Sequence, residues 1–276
     1  MNTLAYLYKY SVGRKVIMAL SGLFLVSFLF VHVGGNMLLF RGDDGVAFNA
    51  FTRFMSTNPV IGVLEWVLAA GFIVHIVYGI LLEFRNRQAR PDRYEYTKGA
   101  STSSSWASRN MITTGLIVLA FLAVHVTTFW GGHKFGHGEE VGIEQAYREG
   151  WKIKEAIGAS LPLKNQYGEV LLDKKGYLTA DALEALTVQG VTTVRGISMT
   201  KIVKDAFAQW FIAFPYAIVM IILALHLSHG FQSGFRSLGL VHKKYTPLII
   251  GAGLLISVVI PLIFASMPIF FFFQSL

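Results

Sequence analysis

The sequence predicts an all-α integral membrane protein built on five transmembrane helices, with an outward-facing insertion between the third and fourth. Three observations predict it. Of 276 residues, 54% are hydrophobic and 14% charged, with 22 Phe and a mean hydropathy of +0.53, whereas a soluble domain carries about 25% charged residues. Five apolar runs reach the roughly 20 helical residues that a bilayer's hydrocarbon core demands. Polar stretches carrying Arg, Lys, Asp or Glu separate the runs from one another, while the tail after Phe273 has no charged side chain.

The first run spans residues 16–40. It is a full span long and no small-x-small cleavage site follows it, so it reads as a retained helix and not as a signal peptide. The second spans 60–84, the third 110–130, the fourth 207–231 and the fifth 247–273. The chain therefore divides into 1–130 with three spans, an insertion over 131–206, and 207–276 with two. The insertion is far longer than a usual helix connection. Within it, "EQAYREGWKIKEAI" and "ADALEAL" read as short helices, the second capped by Thr179. The segment "DKKGYLTADALEAL" superficially resembles a calcium loop. With Gly176 as its sixth position, however, Leu171, Lys175 and Ala182 fall where oxygen ligands are required.

Charge sets the expected orientation. Twelve basic residues lie on one side: Lys9, Arg14, Lys15, Arg85, Arg87, Arg90, Arg93, Lys98, Arg109, Arg236, Lys243 and Lys244. The short loop on the other side holds Arg41 and Arg53 against Asp43 and Asp44. By the positive-inside rule the N-terminus is expected in the cytoplasm, in a cell inner (cytoplasmic) membrane. The same charge can hold anionic lipid or dock an acidic cytoplasmic partner.

Four of the five spans carry a histidine at membrane depth: His32, His75, His125 and His226. A free imidazole in hydrocarbon is costly, and neutral imidazole is the commonest metal ligand. At about 1.5 Å of rise per residue, His32 lies about 6 Å and His125 about 7.5 Å outward of their span midpoints. The second and fourth spans run the other way, which puts His75 about 4.5 Å and His226 about 10 Å inward. Two levels roughly 15 Å apart follow, and they suggest two iron porphyrins, His32 with His125 on the outer and His75 with His226 on the inner. With no cysteine in the chain, a covalent c-type haem, a thiolate-bound iron–sulfur cluster and a disulfide are all excluded, so any haem must be non-covalent and ligated by His or Met.

Glycines near the ligands, Gly34, Gly35, Gly71, Gly79 and Gly230, would admit a flat macrocycle, although small residues at such spacing also pack helices in lipid. His229, three residues beyond His226, is the alternative fourth ligand. His133 and His137 in "GGHKFGHG" form at most a weak metal pair in a glycine-rich loop. Arg14, Arg109 and Arg236 are candidates for pairing with haem propionates, or for ordinary interface anchoring. Glu65 is the one carboxylate well inside a span, a candidate for proton relay or quinone contact, or for a plain hydrogen bond near the interface.

The run "SGLFLVSFLFVHVGGN", the "HIVYG" and "HLSHG" forms of His-x-x-x-Gly, the basic "SVGRK" and the five-helix layout resemble the single-chain, two-haem cytochrome b anchor of succinate:quinone oxidoreductases and fumarate reductases. The similarity covers residues 1–130 and 206–276. It implies axial ligands at His32, His75, His125 and His226, a flavoprotein and an iron–sulfur subunit on the cytoplasmic face, and a membrane quinone as exchange partner. The expected function is electron transfer between those subunits and quinone, in the direction of succinate oxidation or of fumarate reduction. Nucleic acid is not among the expected partners. Two rivals stand beside this reading: the cytochrome anchor of another respiratory dehydrogenase, and a haem-free transporter that uses histidines as a proton relay.

Overall fold

The computed structural model of the chain describes residues 10–89, 106–156, 172 and 176–276. Lys9, Arg90, Arg93, Lys98 and residues 173–175 of the calcium-loop-like segment lie outside the described residues. In chain order the elements are α1 (Ser11–Asn36), α2 (Val46–Thr57), α3 (Pro59–Gln88), α4 (Met111–His125), β1 (Glu139–Gly142), α5 (Ile143–Arg148), β2 (Lys152–Ala156), α6 (Ala180–Val188), β3 (Thr193–Ile197), α7 (Met199–Phe207), α8 (Trp210–Ser237) and α9 (Thr246–Gln274). Five helical stretches are long and apolar enough to cross a membrane: Ser11–Phe40, Pro59–Gln88, Met111–Phe135, Trp210–Ser237 and Thr246–Gln274. The chain is a multi-pass, all-α membrane protein.

The span ends differ from the hydropathy limits for local reasons. α1 tightens into a 3-10 turn at Met37–Phe40, whereas α4 loosens into a π-helical stretch at Val126–Gly131 and continues helically through Phe135. His133 accordingly sits on a helix and not in a loop. Phe207 belongs to α7, so the fourth span starts at Trp210.

The chain falls into two compact units. The first comprises Met1–Val33, Leu64–Phe121 and Phe214–Pro268, that is, parts of α1, α3, α4, α8 and α9. Lipid tails are as apolar as leucine, so burial of apolar surface cannot by itself drive such helices together, and close backbone approach at small residues takes its place. Gly71 faces the Phe24 ring, Gly234 faces Leu23, and Gly253 faces the Phe231 ring. Phe121 and Tyr216 meet edge-on at 4.8 Å between α4 and α8. α3 has no fully buried residue, and its apolar side chains Val63, Ile73 and Phe84 point outward, as suits a helix bathed in hydrocarbon.

The second unit comprises Gly34–Val63, Leu122–Ala213 and Ile269–Leu276. Its insertion is a small α+β fold, and the three-stranded antiparallel sheet, order β1-β3-β2, was not expected from the sequence. In particular the second half of "EQAYREGWKIKEAI" is strand β2, not helix; only Ile143–Arg148 is helical there. Ala146, Ala182, Leu186 and Val194 are fully enclosed in its core with Trp151 and Ile153. Thr179 caps α6, accepting from the Ala182 N–H at 3.1 Å.

α2 lies in what read as a short loop. The Asp43 carboxylate accepts from the Gly45 and Ala47 N–H groups, each at 3.1 Å, and turns the chain into the helix. Gly45 adopts φ 88°, with the Thr200 side chain against its Cα where a Cβ would clash. Asn49, buried on α2, donates to Ser198 Oγ at 2.9 Å and accepts from the Thr200 N–H at 2.9 Å, which latches α2 to the start of α7. Farther along, Arg53 stacks over the buried Tyr177 ring at 4.8 Å and Ser56 bonds the Tyr177 hydroxyl at 3.1 Å. Exposed Trp130, Phe135, Trp210 and Phe211, with Lys134 over the Trp130 ring at 4.6 Å, form the kind of aromatic girdle that marks a membrane–water boundary.

Candidate haem-ligand site

Helix periodicity places one polar ring on each of two facing apolar helices in the first unit. His75 of α3 and His226 of α8 come together there, with ring centroids 6.3 Å apart and planes inclined at 72°. Both rings are half-buried.

Each imidazole is held from a neighbouring helix by the same two-residue device. On α1, Ser21 Oγ lies 3.4 Å from His75 Nδ1, and a Cβ on Gly22 would stand 3.2 Å from His75 Cε1. On α4, Thr114 Oγ1 lies 3.3 Å from His226 Nδ1, and a Cβ on Gly115 would stand 3.3 Å from His226 Cε1. The other contact of each hydroxyl serves to assign the imidazole tautomer. Ser21 donates to the Met18 carbonyl at 3.1 Å and Thr114 to the Met111 carbonyl at 3.0 Å. A hydroxyl has a single proton, so toward the imidazole each can only accept, and Nδ1–H is the donor. The tautomer assigned in this way puts the lone pair on Nε2 of both rings. Neither Nε2 has a hydrogen-bond partner among the described residues.

That arrangement can be tested against iron. A metal–imidazole bond is about 2.0 Å and a ring nitrogen lies about 1.1 Å from its ring centre, so two imidazoles on opposite sides of one iron would have centres about 6.2 Å apart. The separation of His75 and His226 fits. Among the described residues no group of three or more His, Asp or Glu could hold a metal. A two-imidazole site therefore suits a metal that brings its own equatorial ligands, as a porphyrin does.

The other histidines are placed separately. His32 belongs to the first unit, stacked on Phe28 at 5.3 Å and tilted against Phe264 at 5.4 Å. His125 belongs to the second, as the last residue of α4 before the π-helical stretch, its ring 5.2 Å from that of buried Phe129. Insertions of this kind inside α-helices frequently fall at functional sites. His229 is half-buried one turn beyond His226, but His226 is the residue that meets His75. Glu65 is exposed on α3. Of the three arginines near the basic end, Arg14 is buried while Arg109 and Arg236 are exposed.

The glycines singled out from sequence have these neighbours. Gly35 packs against Phe51 and Gly71 against Phe24, Gly34 has open space, and Gly79 and Gly230 face Met18 and Met111. The residues that touch the imidazoles, Ser21, Gly22, Thr114 and Gly115, were missed, although the sequence carries their signal. "MALSGL" precedes His32 and "MITTGL" precedes His125 with identical spacing, a Met-x-x-(Ser/Thr)-Gly-Leu-x8-His pattern on α1 and again on α4. Compared with protein-family models, with curated proteins and with solved structures, the chain matches none.

Proposed function

We propose that the chain is a two-haem cytochrome b membrane anchor of the succinate:quinone oxidoreductase type, seated in a cytoplasmic membrane with its N-terminus inside. The single observation that carries the reading is the His75–His226 pair, spaced for one iron, with both Nδ1 atoms tied back and both Nε2 atoms left for a metal. The repeat on α1 and α4 supports the second level. Ser21 to His32 and Thr114 to His125 are each 11 residues, about three turns, so hydroxyl and histidine share a face about 16 Å apart along each helix. Helices that serve the inner pair with a hydroxyl thus offer a histidine of their own one level farther out.

In this reading His75 and His226 hold the inner haem, and the pairing of His32 with His125 for the outer rests on their depths in the sequence alone. A bound haem b supplies a one-electron carrier. The protein's part is ligation and spacing, with Phe28 and Phe264 against His32 and Phe129 against His125 as apolar cover. Buried Arg14 stands at the basic end of α1, where a withdrawn guanidinium suits an anionic propionate. The basic end of the molecule docks the flavoprotein and iron–sulfur subunits. Glu65 lies within the apolar span of α3, placed to exchange a proton with membrane quinone.

Purification of the tagged full chain from its native membrane tests this. Red material that brings a flavoprotein and an iron–sulfur protein and reduces quinone with succinate is expected, with Glu65→Gln slowing the quinone step at least several-fold at unchanged haem content. Colourless material without such partners contradicts the proposal and favours a transporter.

A further inference from the structure

Because the same hydroxyl–glycine device meets both rings of the inner pair, we infer that Ser21 and Thr114 are positioning residues that tune the inner haem specifically. The inference rests on the haem reading above. Each hydroxyl is anchored by its own proton to a carbonyl three residues earlier, at 3.1 Å for Ser21 and 3.0 Å for Thr114, and so cannot swing away to donate. Its oxygen faces Nδ1 at 3.4 and 3.3 Å. The neighbouring glycine lets the ring edge rest on helix backbone: at Gly22 and Gly115 even a methyl group would press on Cε1.

The chemical consequence follows from polarisation. An acceptor on Nδ1–H draws the proton outward and makes Nε2 a stronger donor to a metal. Stronger donation favours ferric over ferrous iron, so removing the acceptor raises the reduction potential. These acceptors are neutral hydroxyls at long range, which hold the tautomer without converting the ring to an imidazolate. Both act on one pair, since Ser21 serves His75 and Thr114 serves His226. Their removal therefore moves one redox component and leaves the other in place.

Optical redox titration of the purified full-length protein, with its native partners, decides the matter. Ser21→Ala and Thr114→Ala are expected to raise the midpoint potential of the same one of two haem components, the double variant more than either, with the second component unmoved. Ser21→Thr and Thr114→Ser, which keep the oxygen, are expected to titrate like the wild type. Loss of one haem in the alanine variants, with retention in the hydroxyl swaps, supports the inference equally. Unmoved potentials in both alanine variants, different components moved by the two, or hydroxyl swaps that behave like alanine would overturn it. A colourless wild-type protein would instead overturn the haem reading beneath it.

Discussion

At Gly115 a single methyl group decides whether an imidazole can keep its place. Its Cβ would stand 3.3 Å from His226 Cε1, closer than ordinary van der Waals contact, and a valine adds two methyls to that crowding. Gly115→Val, or Gly22→Val against His75, is therefore expected to displace one inner ligand and reduce haem from two per chain to one. Gly34→Ala, which meets open space, is expected to retain both; a pyridine haemochrome assay counts them. The histidines proposed as ligands stand out in the sequence, because an imidazole in an apolar run contrasts with its neighbours, and of the four the structure brings His75 and His226 together. The supporting residues are less legible, because they lie on the next helix over and not beside each histidine on its own helix. Two serine or threonine hydroxyls in apolar helices are unremarkable one at a time. Only their common 11-residue distance from His32 and His125 distinguishes them.

At the level of elements, α2 and α7 are joined by polar atoms withdrawn from water. Asn49→Ala strips a donor from Ser198 and an acceptor from the Thr200 N–H, leaving buried groups unsatisfied at about 1–3 kcal/mol each. The variant is expected to be less stable by about 2–4 kcal/mol, read as a lower midpoint of denaturation in detergent, with haem content unaffected at the His75–His226 level. The five long helices were readable because continuous apolar runs leave no other way to satisfy the backbone in lipid. Their ends were less so, since a 3-10 turn after α1 and a π-helical stretch after His125 alter the rise without altering hydropathy. The insertion's sheet escaped notice for a different reason. β2, with the sequence "KIKEA", is five residues long and dominated by lysine and glutamate, and it becomes a strand only through pairing with β3, some 40 residues later. α2 was read as a loop because its flanking charges, Arg41 with Asp43 and Asp44, outweighed an amphipathic pattern only 12 residues long.

Across the whole molecule, one sequence device is used twice. α1 and α4 each offer a hydroxyl and a glycine at one level and a histidine about three turns away, while α3 and α8 each offer a histidine that those hydroxyls meet. α9 carries no histidine, and its 29 residues contribute apolar cover, with Phe231 of α8 seated against Gly253. In the proposed reading, five spans with four histidines at two levels would form a scaffold for carrying charge through lipid. The measurement that bears most directly on this is the haem content of purified protein, taken for the wild type and for the four single variants His32→Ala, His75→Ala, His125→Ala and His226→Ala. The account predicts two b-type haems per wild-type chain and at most one in each variant, the component lost with His75 being the one lost with His226. Wild-type protein without haem, or any of these variants with both haems intact, would contradict it.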